Sequence, residues 1–431
     1  MHLSGNNLTR QILIGMIAGG ILGLIINLAL GDVAWIQAQF IDGFMDGIGK
    51  IFLNMLKMLI VPLVFVSLVC GTASLSDPSR LGRLGGKALA LYLLTTALAV
   101  TVALVLASIF QPGAGSNFPA ASFEAAPAPS LKDVLVNMVP SNPVEAMAET
   151  NMLQLIFFSI LFGLALTLSG ESGTRIKAIF VDLNDVVMQI VTVVMKVAPY
   201  GVFALMTKVF AQLGLESFKL LADYFFLVLG VLMVHLLITY PTLLKLFTGL
   251  NPVLFLRKMR AAMVFAFSTA SSNATLPVTL RSVERRLGVD NSVASFTVPL
   301  GATINMDGTA IMQGIATVFI ANVYGVDLTL AQLLTVILMA TMASIGAAGV
   351  PGVGLILLAT VLTQVGLPVE GIGLILGIDR LLDMTRTVVN ITGDATVTTI
   401  VAKSEGDLDE SVFHDPNAGE AAELAEAQSA A

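Results

Sequence analysis

The amino-acid sequence predicts an all-α polytopic membrane protein of eight transmembrane helices and two re-entrant helical hairpins, and three observations carry that reading. The 431 residues are 56% hydrophobic and only 12% charged, too apolar to cover a soluble fold of that length. The apolar residues gather in runs long enough to cross a bilayer, near 11–30, 44–75, 88–112, 151–169, 178–212, 220–248, 290–323 and 371–402. Two further apolar stretches are interrupted at their centres by polar or glycine-rich sequence.

Met1 to Arg10 is a short polar lead. The apolar run after it has spanning length and no small-residue cleavage site, so it reads as a retained first helix. Cys70 stands alone in the sequence, can form no intrachain disulfide, and reads as a small core residue. On the third helix, Tyr92, Thr95 and Thr96 offer hydroxyls at helical spacing, which by themselves fit ordinary interhelical hydrogen bonds.

Between Arg260 and Arg281 lie 20 residues, nominally one span, but basic clusters flank both ends (Arg257, Lys258 and Arg260; Arg281, Arg285 and Arg286). A single crossing would strand one cluster on the wrong side. The centre, Ser-Thr-Ala-Ser-Ser-Asn-Ala-Thr-Leu-Pro (268–277), is polar and ends in a helix breaker. A re-entrant hairpin over 252–286, entering from the cytoplasm, satisfies both facts.

The next helix carries Gly-Ala-Thr-Ile-Asn-Met-Asp-Gly-Thr (301–309). Asn305 and Asp307 are two apart and would point to nearly opposite sides of a regular helix. They serve one region only if the helix unwinds, which Gly308 permits. Unwound carbonyls with a carboxylate and an amide make an all-oxygen cage for a hard cation; the alternative is a polar kink satisfied by neighbouring helices. The stretch 329–367 is too long for one span and too short for two with a solvated loop. Its centre, Ser-Ile-Gly-Ala-Ala-Gly-Val-Pro-Gly-Val-Gly (344–354), permits unwound backbone, and Pro351 removes a donor. Such backbone is tolerated at membrane depth only where protein buries it or a cavity lies beside it. Two interrupted segments, each followed by a polar-bearing helix, form the inverted-repeat pattern of secondary transporters with a midplane site.

On the last helix, Asp379, Asp383, Arg386, Asn390 and Asp394 are spaced 4, 3, 4 and 4 apart. At about 100° per residue they fall within an arc of about 80°. Each charge costs at least about 2.5–3.5 kcal/mol at mid-membrane unless it faces a partner, cavity or ion. That density marks a binding site. Arg380 lies about 100° from Asp379, at the edge of the stripe, where snorkelling or a local salt bridge suits it. Met306, Met312 and Met384 read as core fillers. His2, His235 and His414 are scattered and read as neither metal ligands nor a proton relay. The segment 404–431 is Ala/Glu-rich, contributes much of the net charge of −7, and reads as a disordered acidic tail.

Lysine and arginine set the orientation. Arg10, Arg80, Arg83, Lys87, Arg175, Lys177, Lys245, the clusters of 257–286 and Lys403 share one side if both termini are cytoplasmic, whereas 113–150, 324–328 and 367–370 hold one lysine, Lys132. Paired intramembrane aspartates also occur in aspartyl proteases. Those need carboxylates on facing helices and a Gly-X-Gly-Asp turn; here the sequence is Ile-Thr-Gly-Asp (391–394), and Arg386 would pair away the charge. The broken hairpins likewise favour gated alternating access over an anion channel.

Four ordered motifs resemble the dicarboxylate/amino acid:cation symporter family, which includes the archaeal aspartate transporters and the animal excitatory amino acid transporters. They are the serine-rich tip at 268–277, Asn-Met-Asp-Gly-Thr at 305–309, Ser-Ile-Gly-Ala-Ala-Gly-Val-Pro-Gly at 344–352 and Asp-Met-Thr-Arg-Thr-Val-Val-Asn-Ile-Thr-Gly-Asp at 383–394. The match covers nearly the whole chain. It implies a homotrimer in the plasma membrane (a bacterial inner membrane), with L-aspartate or L-glutamate as substrate, Na+ as coupling ion, no organic cofactor and no nucleic-acid partner. The implied scaffold comprises helices 1 and 2 within 1–75 and helices 4 and 5 within 131–249, the latter range also holding transport-domain helix 6. The rest of the implied elevator domain is helix 3 (86–113), hairpin 1 (252–286), helix 7 (290–325), hairpin 2 (329–367, the extracellular gate) and helix 8 (371–403).

The resemblance also implies roles for individual residues. Arg386 would clamp the substrate's side-chain carboxylate, a task suited to a planar bidentate donor, and Asp383 its ammonium. Asn390, Thr387, Thr309, the amides around Ser271 and Ser272, and the backbone at Gly349 and Val350 would hold the remainder of the substrate, chiefly its α-carboxylate. Asp394, Asn390, Asn305 and the Gly301 carbonyl would form one sodium site. Asp307, Asn305, Tyr92, Thr95 and Thr96 would form a second, and carbonyls of Thr303, Ser344, Ile345 and Ala347 a third. Asp379 would organise the helix behind them. Neutral amino-acid carriers lack the arginine at Arg386 and C4-dicarboxylate carriers the aspartate at Asp383, so an acidic amino acid is expected. Cystine carriers can keep both. The chain departs from the family in having Ala270 at the tip and Met384 after the substrate aspartate, where relatives carry a second arginine. Gln313 replaces the glutamate of potassium-coupled carriers, which favours sodium, with proton coupling as the runner-up.

Overall fold

The computed structural model describes residues 5–30, 33–73, 81–115, 136, 139–149, 151–214, 216–345 and 352–419. Among them the chain is almost wholly helical, as expected, and the only strand-like feature is an isolated antiparallel bridge between Val289 and Leu408. The order is α1 (Gly5–Leu30), a π-wound turn (Ile36–Met45) running into α2 (Asp46–Ala73), α3 (Leu81–Phe110), a short α4 (Pro143–Ala148), α5 (Met152–Leu168), α6 (Gly170–Leu213) and α7 (Glu216–Val234). A second π-turn (His235–Thr239) joins α7 to α8 (Tyr240–Thr248).

Helices Arg10–Leu30, Ile36–Cys70, Arg83–Phe110 and Phe218–Thr248 are long and apolar enough to cross a membrane; the pair Gly170–Val194 and Lys196–Gln212, bent by 42°, would make a fifth. The bend has a cause in Pro199, which removes the hydrogen bond to the Met195 carbonyl and crowds it. The remaining apolar segments fail that test for local reasons. Segment 151–169 gives the 17 residues of α5, segment 290–323 is split in two, and the last helix carries its charges at depth.

Helices α1, α2, α5 and α6 form one packed group. Gly15, Gly19 and Gly23 stripe α1 where it crosses α6: a Cβ on each would stand 2.5, 2.4 and 2.5 Å from the carbonyl oxygens of Pro199, Phe203 and Thr207. That is the small-residue seam by which membrane helices approach closely.

The C-terminal half holds the interrupted elements. The helices α9 (Pro252–Thr269) and α10 (Ser272–Arg281) meet at a tip where Ala270 takes the left-handed conformation (φ 49°), and a π-turn Ser282–Arg286 follows. The next helix is broken into α11 (Asn291–Ile304) and α12 (Asp307–Val323); α12 is buried along all but one of its residues. Helices α13 (Leu330–Ser344) and α14 (Val353–Gln364) flank the glycine-rich segment, and α15 (Ile372–Glu405) packs against α9, α11, α12 and α14.

One expectation is overturned. Residues 404–419 of the acidic segment are built into the fold. Gly406 ends α15 in the left-handed conformation. The Asp409 N–H donates to the Gly288 carbonyl (2.7 Å), and the Asp290 N–H to the Asp407 carbonyl (2.9 Å). A short α16 (Glu410–His414) then buries Phe413 completely. The Lys258 ammonium, itself buried, donates to the carbonyls of Arg286 (2.6 Å) and Val412 (2.7 Å) and lies 5.5 Å from the centre of the Phe413 ring. Composition averaged over an Ala/Glu-rich stretch hides one aromatic anchor and the cation it covers. Residues 420–431 lie outside the described residues.

Candidate functional site

The five stripe residues of α15 do lie together, and all are buried. Arg386 is fully enclosed. Its Nη1 and Nη2 donate to Asp379 Oδ1 and Oδ2 at 2.6 and 3.2 Å, and Nη2 also to Asp383 Oδ1 at 2.8 Å. The pairing works because residues three and seven apart share a helix face. Arg380, expected to snorkel or pair locally, pairs: its Nη1 is 3.5 Å from Asp383 Oδ2. Two guanidinium groups therefore face two carboxylates, which removes the cost an isolated charge carries at this depth. Arg386 Nε alone lacks a partner.

The clamp is closed in by small residues. A Cβ on Gly308 would stand 2.6 Å from the Arg386 carbonyl oxygen; one on Gly354 of α14 would stand 3.1 Å from Thr309 Cγ2 and 3.5 Å from Arg386 Nη2. The start of α14, just after the glycine-rich segment, thus leans directly on Arg386 and Thr309. Beside Asp379, Arg380 and Asp383 is a cavity of about 30 Å³, walled by Ile12, Phe52, Leu56, Ala198 and Val202 of the α1/α2/α6 group and by Gly352, Leu355 and Leu376. It has room for water.

Below the clamp α11 and α12 separate at Asn305 and Met306, whose backbones are extended (φ −96°, ψ 94°) and irregular (φ −118°, ψ 48°). The break falls between Ile304 and Asp307, where it was expected; beside it Gly308 packs on Arg386, and its N–H donates to Asn390 Oδ1 at 2.8 Å. The break brings Asn305 and Asp307 into one region. Asn305 Nδ2 donates to Asp394 Oδ1 (2.9 Å) and the Asn390 carbonyl (3.2 Å), and its own Oδ1 is buried without a partner. Gly301 sits where Asp394 and Tyr92 converge: a Cβ there would be 2.6 Å from Asp394 Oδ1 and 2.6 Å from the Tyr92 hydroxyl oxygen. Asp394, Asn390, Asn305 and Gly301 are therefore assembled as one group.

Asp307, the first residue of α12, receives Thr96 Oγ1 on Oδ1 at 2.6 Å. The hydroxyls of Thr95 and Thr96 also donate to the Tyr92 carbonyl (3.0 and 2.9 Å), while the Tyr92 hydroxyl reaches the Thr297 carbonyl (2.9 Å). Of these α3 hydroxyls Thr96 does both jobs, helix bonding and contact with the carboxylate, while Thr95 and Tyr92 bond backbone carbonyls. Donors of this kind, carboxylate, amide, hydroxyl and carbonyl oxygens, suit a hard cation.

Other expected residues are placed less decisively. The Thr387 hydroxyl donates to the Asp383 carbonyl (2.8 Å) within its own helix. Ser271 caps α10, its Oγ accepting the Ala274 N–H (3.2 Å), with Ser272 buried next to it. The Thr303 hydroxyl donates to the Pro299 carbonyl (3.1 Å), and Ser344 and Ile345 end α13, the Ser344 hydroxyl on the Thr341 carbonyl (2.8 Å). Ala347, Gly349 and Val350 lie outside the described residues.

Two residues were missed. His235 Nε2 and the Tyr240 hydroxyl approach Asp307 Oδ2 at 3.2 and 2.8 Å. Reading His235 as scattered was wrong in space: it is fully buried against the helix break.

A helical bundle with buried charge pairs and with oxygen donors gathered at a helix break is an architecture suited to a carrier for charged solutes. Residues 8–404 match the profile of the sodium:dicarboxylate symporter family, and the chain belongs to that family of transporters. It is similar to the proton/sodium-glutamate symport protein of Bacillus caldotenax, at 36% identity over 401 residues covering 90% of this chain and 94% of that protein. It is 34% identical to the proton/glutamate-aspartate symporter of Escherichia coli K12 (94% of each chain). The C4-dicarboxylate transport protein of Bacillus subtilis is likewise 34% identical, covering 94% of this chain and 95% of that protein.

Proposed function

We propose that this chain is a secondary active symporter that takes up L-aspartate or L-glutamate, driven by sodium. The observation that carries the substrate class is the enclosure of Arg386 between Asp379 and Asp383. A carboxylate entering the site would replace Asp383 on Nη2, leaving Asp379 as the standing counter-charge; Asp383, released, faces an ammonium. A C4-dicarboxylate brings no ammonium for Asp383, which argues against that reading. The approach of Gly354 to Arg386 and Thr309 supports a site that opens to load and closes by moving the hairpin arm carrying Gly354.

Coupling to sodium is supported by the oxygen donors around Asp307 and Asp394, and by Gln313, a neutral residue on α12. Family membership supports the rest of the assembly: eight spans with two re-entrant hairpins, cytoplasmic termini in a bacterial inner membrane, a homotrimer on the α1/α2/α5/α6 group, and elevator motion of α3, α7 with α8, the hairpins, α11, α12 and α15 against it. The test is radiolabelled L-aspartate uptake into proteoliposomes under an imposed sodium or an imposed proton gradient. Sodium-driven uptake is expected; uptake on protons alone would overturn the coupling, and uptake of succinate with none of aspartate would overturn the substrate.

A further inference from the structure

Asp307 is held in an uneven way. Its Oδ1 meets only Thr96 Oγ1, whereas its Oδ2 meets two partners, Tyr240 Oη and His235 Nε2, both from one short piece of chain. Residues five apart on an α-helix differ by about 140° and cannot address one atom. Here they can, because His235–Thr239 is π-wound: the Tyr240 N–H reaches back five residues to the His235 carbonyl. The two rings stack edge to face with centroids 4.5 Å apart. A local cause of the wide turn is Pro241, which has no N–H to give the Leu237 carbonyl and would collide with it in a regular helix. Single π-turns of this kind concentrate at functional sites. His235 Nδ1 has no hydrogen-bond partner, so the ring's one polar contact is the bond of Nε2 to Asp307.

We propose that His235 and Tyr240 are positioning residues for the coupling cation: they anchor Asp307 through Oδ2 so that Oδ1 stays aimed at the Thr96 side, where the ion is coordinated. This rests on the reading of Asp307 as a cation ligand. Neither residue touches the ion. The division of labour resembles the outer contacts that hold metal-binding carboxylates elsewhere, whose loss costs about 10–100-fold in affinity.

The experiment uses the purified full chain with sodium chloride as the probe, read by the sodium-induced rise in melting temperature without substrate. Aspartate affinity is measured in parallel at limiting and saturating sodium. Tyr240→Phe deletes one hydroxyl at nearly constant shape, and His235→Leu removes the imidazole donor. His235→Gln restores an N–H at similar reach. Tyr240→Phe and His235→Leu are expected to raise the sodium midpoint about 10-fold while leaving aspartate affinity at saturating sodium within about twofold, and His235→Gln is expected to recover most of the shift. Unchanged midpoints overturn the proposal. So does a loss that persists at saturating sodium, or one that Gln does not repair, because a merely structural role predicts those. If the unaltered protein shows no sodium-induced rise at all, the cation reading of Asp307 fails and this proposal with it, an outcome distinct from variants that behave like the unaltered protein.

Discussion

Gly301→Ala adds one carbon at the most crowded point of the site. The new Cβ would stand 2.6 Å from Asp394 Oδ1, 2.6 Å from the Tyr92 hydroxyl oxygen and 2.8 Å from Asp394 Cγ. An ordinary carbon contact begins at 3.4 Å, so the carboxylate or the phenol must retreat by roughly 0.8 Å, more than the ~0.5 Å within which a binding constellation stays productive. Overpacking of this kind costs about 1–3 kcal/mol, which at about 1.4 kcal/mol per decade becomes a 5- to 150-fold loss of cation affinity. Gly230→Ala is the matched control, since a Cβ on α7 there meets no heavy atom within 4 Å. The assay is the sodium dependence of L-aspartate uptake in proteoliposomes, with melting temperature measured alongside. Expected is a sodium midpoint at least fivefold higher for Gly301→Ala and within twofold for Gly230→Ala. Equal midpoints for the two variants would refute the claim that Asp394 is held against Gly301 to bind an ion.

Three further perturbations test neighbouring parts. Arg386→Thr leaves Asp379 and Asp383 without their fork; breaking a buried pair this way costs about 3–5 kcal/mol, so aspartate uptake should fall more than 100-fold while neutral amino acids gain. Retained aspartate affinity would sink the clamp. Asp394→Asn keeps shape but not charge, and should weaken sodium and, by linkage, aspartate by about 5- to 150-fold; an unshifted sodium curve speaks against it. Phe413→Ala, or truncation after Glu410, uncovers Lys258 and should lower the melting temperature and speed amide exchange in α9 and the Ser282–Arg286 turn, the Phe413 deletion costing about 3–5 kcal/mol. Unaltered exchange there would mean the docked segment is ornamental to stability.

The stripe on α15 was readable because charges at helical spacing in an apolar run are too costly to persist unless they face one another or a ligand, and Arg386 bonds the two aspartates its spacing allows. The helix break was legible because two polar residues two apart address one region only if the helix opens between them; what Gly308 does, packing against Arg386, was not, since a glycine can mark unwinding or close packing. His235 and Tyr240 could not be paired from sequence, because an α-helical period sets them on different faces and only Pro241 hints at the wider turn. The order of 404–419 was invisible for another reason. A few anchors among acidic and small residues decide it, Phe413 and the backbone bonds at Asp407 and Asp409, and composition weighs all residues alike.

The contact between Lys258 and the Val412 carbonyl joins positions 154 residues apart. Ribosomes add about 5–20 residues per second, so about 8–30 s separate the emergence of the first hairpin from that of the segment that closes over it. For that interval the ammonium has no carbonyl from Val412 and no aromatic cover, and three interrupted or charged helices must be delivered meanwhile. The Lys258 end of this element therefore reaches its final packing late, on a clock set by synthesis rather than by its own sequence.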